Sequence, residues 1–185
     1  INIRFLEPTI YQCNNLEGIC LIFLYEGAIK KALHDAKFRP SIKKSERLAQ
    51  EILKINLFDE ISRQWKLPEK MSVVAIPTSK ERVKQRGYEL PKIIFRDSVV
   101  KNGWQWDNVL ERVKITKPQF GLSKVARKKN IKSCFALKEK AKLAKNILLV
   151  DDIVTTGATI EEAAITLHQY GECHIWVLAL AGGAD

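Results

Sequence analysis

Residues 146 to 180 constrain the fold more than any other part of the chain. Asn146 to Val150 (NILLV) is an unbroken apolar run of strand length, Ala158 to Tyr170 repeats Ile160, Ala163, Ala164 and Leu167 on one helical face, and His174 to Leu180 is a second strand. Gly171 stands where a helix stop is expected. Strand, loop, helix and strand in direct succession make a βαβ unit. The apolar strands imply a parallel sheet covered on both faces, so the expected class is α/β.

Between the first of those strands and the helix lies Asp151-Asp152-Ile153-Val154-Thr155-Thr156-Gly157-Ala158-Thr159. In open parallel sheets ligands settle at the carboxyl ends of strands, which is where the two acids fall. A helix amino terminus offers unpaired N–H groups and partial positive charge, which suits a phosphate. Gly157 would let the backbone approach it with no Cβ in the way, and Thr155, Thr156 and Thr159 can donate hydroxyl hydrogen bonds. Adjacent carboxylates have little reason to bind that phosphate; they suit the vicinal hydroxyls of a ribose. Acid pair and small-residue loop together describe a ribose 5-phosphate site. The plainer alternative is that Asp152 or a threonine caps the helix while Asp151 sits on an exposed turn.

Elsewhere the pattern predicts a strand over Ile19 to Tyr25, a helix over Glu26 to Lys37 with Ile29, Leu33 and Ala36 on one face, and a helix over Ser41 to Ile55 capped by Ser41. Val73 to Ile76 is a short strand closed by Pro77, Glu89 to Lys101 suits a helix, and Val109 to Val113 is strand-like. Lys114 to Asn130 is polar, basic and without period, the pattern of a long loop. A chain of 185 residues, 46% hydrophobic, supports one sizeable core. The division expected is an N-terminal strand and helix region over 1–70, acting as a small hood or appendage, and a core over 71–185.

The longest apolar run, Ile19 to Tyr25, is far short of the roughly 20 residues of a membrane-spanning helix. No secretory signal opens the chain, and a cytoplasmic protein is expected. Cys13, Cys20, Cys134 and Cys173 are scattered singly, without metal or redox spacing, and read as reduced packing thiols; no metal set is expected within the chain. Charge is unevenly placed. Lys80 to Lys145 holds 19 Lys and Arg against 6 Asp and Glu, so this one stretch carries all of the net +10. Such a block attracts phosphate-bearing partners, or is an ordinary solvated surface.

Asp151 to Thr159 resembles the 5-phosphoribosyl pyrophosphate (PRPP) signature of type I phosphoribosyltransferases. Further stretches resemble the ComF-like competence proteins and the related GntX proteins: Tyr25-x-Gly27 with Leu33 and Lys37-Phe38; Ala75-Ile76-Pro77 with Arg82 and Gln85-Arg86-Gly87-Tyr88; and Leu110-x-Arg112 with Thr116, Gln119, Leu122, Arg127, Asn130 and Phe135. The likeness covers about residues 25 to 181. Glu89-Leu90 stands where many relatives have Asn-Gln. Many relatives also carry a cysteine-rich zinc module before the Tyr-x-Gly segment, absent or removed here.

The resemblance implies a type I phosphoribosyltransferase fold, a mostly parallel sheet with helices on both faces. It implies that Asp151 and Asp152 hold the ribose hydroxyls and that Thr155, Thr156, Gly157, Ala158 and Thr159 hold the 5-phosphate. Thr78, Ser79 and Lys80 map to the pyrophosphate loop, with Arg82 and Arg86 adding charge. Residues 114–130 map to a catalytic lid, with Lys117, Arg127 and Arg86 as the catalytic candidates. Mg²⁺ is expected on PRPP itself. Three functions share this site: a competence factor handling single-stranded DNA together with other DNA-uptake machinery, a nucleobase or amido phosphoribosyltransferase, and a PRPP-sensing regulator. Trp104 and Trp106 beside Lys101 could stack on bases, although a half-buried edge of the core is the preferred reading for both.

Overall fold

The computed structural model describes residues 3–38, 40–116 and 121–183. In chain order the elements are β1 (Arg4–Leu6), a 3-10 turn (Pro8–Tyr11), β2 (Gly18–Leu24), α1 (Gly27–Phe38), α2 (Ile42–Leu53), α3 (Leu57–Trp65), β3 (Ser72–Ala75), α4 (Lys80–Arg86) and α5 (Leu90–Lys101). There follow β4 (Gln105–Asp107), β5 (Leu110–Arg112), α6 (Lys124–Ile131), β6 (Phe135–Leu137), β7 (Asn146–Val154), α7 (Ala158–His168) and β8 (His174–Gly182).

Six strands form one sheet in the order β1-β2-β8-β7-β3-β4, and β5 pairs with β6 in a separate ribbon. Among the described residues only β1 runs antiparallel to its neighbour in the large sheet. The expected α/β class is observed, with a mostly parallel sheet and helices on both faces. Alternation along β7 explains the two layers: Ile147 and Leu149 face a cluster with Ile160, Ala163, Ala164 and Leu167 of α7, while Leu148 and Val150 face Leu90, Ile94, Phe95 and Val99 of α5 with Ile52, Leu57 and Ile61. All four of those β7 residues are fully buried, and each such side chain contributes about 1.5–3 kcal/mol. The first 70 residues add β1 and β2 to this same sheet, β2 lying parallel to β8.

Three expectations are corrected. Residues 114–130 are not all loop, because α6 occupies Lys124–Ile131. Ser123 starts it, its hydroxyl accepting from the Ala126 N–H at 3.3 Å, and Ile131 alone is buried, so a helix this short shows no apolar period. Secondly, β7 runs on through the acids to Val154, since β8 supplies small partners: Asp151 pairs with Ala179, Ile153 with Ala181 and Val154 with Gly182. Thirdly, Ser41 is at the start of α2 but its hydroxyl makes no cap bond; its carbonyl accepts from Ser45 instead, through N–H at 3.2 Å and Oγ at 3.3 Å.

Trp104 is buried in the core against Phe58, ring centroids 5.2 Å apart and edge-on, deeper than the half-buried edge expected, while Trp106 is half-buried on edge strand β4 as expected. The four cysteines are free and buried. Burial pushes the Cys13 and Cys20 thiols up to about 12 and Cys134 to about 11, which leaves them protonated and unreactive. Among the described residues no helix is long and apolar enough to cross a membrane.

Candidate functional site

Parallel pairing of β3 with β7 brings two loops side by side at the carboxyl edge of the sheet. Ala75 lies opposite Val150, and the Ile76 N–H donates to the Val150 carbonyl at 2.9 Å, so the Thr78-Ser79-Lys80 turn and the Asp151-Asp152 pair leave adjacent strands together. Ser79 caps α4, its hydroxyl accepting from the Arg82 N–H at 3.4 Å.

Asp152 is buried and Asp151 partly so. The Asp152 N–H donates to Asp151 Oδ1 at 2.7 Å. Lys37, at the end of α1, donates its ammonium to Asp152 Oδ1 at 2.9 Å. Two neighbouring carboxyls under one ammonium cannot both ionise cheaply. Burial, and then the charge of Asp152, hold Asp151 well above the usual carboxylate range, with Lys37 pulling the other way.

Neither Asp152 nor a threonine caps α7. Gly157 holds that position with φ +76 and no side-chain cap, and the Glu161 N–H donates to its carbonyl at 2.9 Å. The sequence rationale for Gly157 changes accordingly. A Cβ there would meet Tyr11 Cβ at 2.6 Å and Cys13 Sγ at 2.9 Å, so the glycine is required by the chain packed behind the loop. That chain is anchored at both ends. Tyr11 Oη donates to the Gly183 carbonyl at 2.9 Å, while Glu161 Oε1 accepts from Asn14 N–H at 3.2 Å and Asn15 Nδ2 at 2.7 Å. The open side of the loop presents Thr155, Thr156, Ala158 and Thr159, which together with Asp151 line a shallow hollow.

Of the catalytic candidates, Arg127 reaches the loop: its Nη1 donates to Thr155 Oγ1 at 3.0 Å and its Nε to the Leu122 carbonyl at 3.0 Å. Arg86 is half-buried. Burial works against its charge, Asp152 favours it, and its Nε has no partner. Lys117, like Gln119, lies outside the described residues.

Two residues acquire a place in the site that their sequence context did not announce. Lys37 was a matched position only, and its ion pair with Asp152 joins residues 115 apart. Arg112 is a half-buried cation beside Cys134, Arg82 and Asp151, with its Nε buried and unpartnered and its Nη2 donating to Thr116. Among the described residues neither Arg86 nor Arg112 has a carboxylate at ion-pair distance. A partly desolvated guanidinium with no carboxylate in direct contact is poised for an anion.

No protein-family model matches the chain. DNA utilization protein YhgH of Salmonella typhimurium is 29% identical over 157 residues, covering 84% of this chain and 68% of that protein. The Escherichia coli K12 protein of the same name is 27% identical over 157 residues. Competence protein F of Haemophilus influenzae is 33% identical over 132 residues, 65% of this chain and 54% of that protein, so the match spans about half the length of the latter. A solved hypoxanthine phosphoribosyltransferase from Staphylococcus aureus aligns with 74% of this chain and 64% of its own at 12% identity and a TM-score of 0.44.

Proposed function

We propose, on the premise that the chain is a homologue of competence protein F and of DNA utilization protein YhgH, that it binds PRPP at the β7 to α7 site and single-stranded DNA on its basic stretch, and acts in DNA uptake during competence. One observation carries the ligand half: an acid pair, Asp151 partly buried and Asp152 buried, near the carboxyl end of a central strand runs directly into a small hydroxyl loop at a helix amino terminus. Such an arrangement separates acceptors for a sugar diol from donors for its 5-phosphate.

Arg86 and Arg112, which among the described residues have no carboxylate at ion-pair distance, and the Thr78-Ser79-Lys80 turn supply what a pyrophosphate requires, several cations and donors on one side. The acid pair also fits a cation arriving with the ligand, because two neighbouring carboxyls share Lys37, whose ammonium is hydrogen-bonded to Asp152 and only offsets the burial of Asp151 in part. Mg²⁺ would travel on PRPP and add charge neutralisation at the pyrophosphate. Arg127 bridges α6 to Thr155 and is the side chain positioned to report on loop occupancy.

The nucleic-acid half is supported by the relatives' names and by the charge confined to Lys80 to Lys145. Calorimetric titration with Mg²⁺-PRPP, ribose 5-phosphate and pyrophosphate tests the ligand reading. Binding of PRPP and ribose 5-phosphate is expected; absence of heat with all three would refute it.

A further inference from the structure

A groove of about 750 Å³ opens at the carboxyl end of β3 and β4, between α4, the first turns of α5 and the β4 to β5 segment. Its wall carries six cations, Lys80, Lys84, Lys92, Arg96, Arg112 and Lys138, against Glu89, Asp107 and Glu111. Asp107 is already engaged, accepting from Ser72 Oγ at 2.6 Å and Gln105 Nε2 at 2.7 Å. Arg112 lines the groove with its Nε buried and its Nη2 donating to Thr116, and has no carboxylate within ion-pair reach among the described residues. Pro77, Val83 and the half-buried Trp106 add an apolar part to the wall.

We infer that this groove seats a single nucleic-acid strand, its phosphates on the lysines and Arg112 and a base against Trp106; the inference rests on the DNA half of the function proposed above and gives it a location. A volume inside the usual pocket range of about 300–1,000 Å³ admits one or a few nucleotides. Cations beside an aromatic ring suit an unpaired strand, whose bases are free to turn onto the ring while its phosphates meet the charges. A duplex keeps its bases stacked inside. The other cationic surface, Lys124, Lys128, Lys129 and Lys132 around α6, contributes no residue to the groove wall and offers only a diffuse field.

The groove shares Thr78 and Lys80 with the turn assigned above to pyrophosphate. Strand and pyrophosphate therefore compete there, and linkage makes the antagonism reciprocal. Ribose 5-phosphate, which lacks the shared group, leaves the strand in place.

Fluorescence anisotropy with a labelled oligo-dT tests this, using two variants that each remove three exposed charges: Lys84→Gln with Lys92→Gln and Arg96→Gln in the groove, and Lys128→Gln with Lys129→Gln and Lys132→Gln on α6. Circular dichroism checks that both are folded. The groove variant is expected to lose affinity roughly tenfold or more and to lower the log–log salt slope by about 2, since each phosphate contact on a single strand contributes about 0.7. The α6 variant should change affinity less than about threefold. Inorganic pyrophosphate should displace the oligonucleotide from wild type, and ribose 5-phosphate should not. Equal losses in the two variants, or a larger loss on α6, would overturn the groove while keeping DNA binding. No binding by wild type at low salt would instead refute the DNA reading itself.

Discussion

The Lys37 ammonium sits 2.9 Å from Asp152 Oδ1, tying the end of α1 to the strand that carries the acid pair. Neither partner is fully exposed, with side-chain accessibilities of 22% and 12%. Replacing Lys37 by Met leaves two neighbouring carboxyls without their nearest cation. Partial solvation reduces the cost of a broken buried pair to about 1–2 kcal/mol. Chemical denaturation should register that loss. The further change Asp152→Asn should recover part of it, and a double-mutant cycle with no coupling would mean the pair contributes nothing.

Converting Asp151 and Asp152 together to Asn removes charge but preserves shape. The fold should persist, because relief of the repulsion between the two carboxyls offsets the loss of the Asp152 partner of Lys37. PRPP affinity should fall by about tenfold or more as the acceptors for the ribose hydroxyls weaken. Calorimetry on the folded variant decides the matter, and undiminished affinity would move the sugar elsewhere.

The raised pKa of Asp151 has a definite sign. In the native state the proton is retained above the pH, about 3.9, at which an unfolded aspartate releases it. Native protein binds more protons over that window, so its stability falls as pH rises. Thermal melts of wild type should therefore lose ground against Asp151→Asn between about pH 5 and about pH 8. Ligand affinity should move the opposite way, since the ionised carboxylate is the better acceptor for a hydroxyl. Parallel melting curves for the two proteins would contradict the perturbed pKa.

Gly157 combines positive φ with Tyr11 and Cys13 packed behind it. Gly157→Ala should cost about 2–4 kcal/mol, from left-handed backbone and from crowding. Gly157→Val should cost more. The damage is expected in stability first, measured by urea unfolding, and in ribose 5-phosphate affinity only as the loop is displaced. Normal stability with abolished binding would restore a direct clash with the phosphate as the cause.

What could be read beforehand follows from range. The β7, α7, β8 unit was legible because its apolar period and its acid, hydroxyl and glycine residues lie within forty consecutive positions. Strands β1, β4 and β6, three residues each, are too short to show alternation and exist by pairing with distant neighbours. Helix α3 has no sequence signal of its own although Leu57, Phe58 and Ile61 are buried, because its nine residues follow α2 almost without a break. Lys37 and Arg112 gained their importance from contacts that no local pattern encodes. The segment behind Gly157 shows no local period, and only tertiary packing reveals what Tyr11 and Cys13 hold in place.

The pairing of β2 with β8 has a consequence for how the chain is made. Ile19 to Ile22 are among the most buried residues of the protein, yet one long flank of their strand is completed by residues 174 to 182. During synthesis at about 5–20 residues per second, that apolar strand emerges long before residues 174 to 182, so its parallel partner does not yet exist. Closing so long a loop makes contact order high and folding slow. The nascent protein thus carries an exposed, adhesive strand for many seconds, and its yield in the cell depends on what shields Ile19 to Ile22 over that interval.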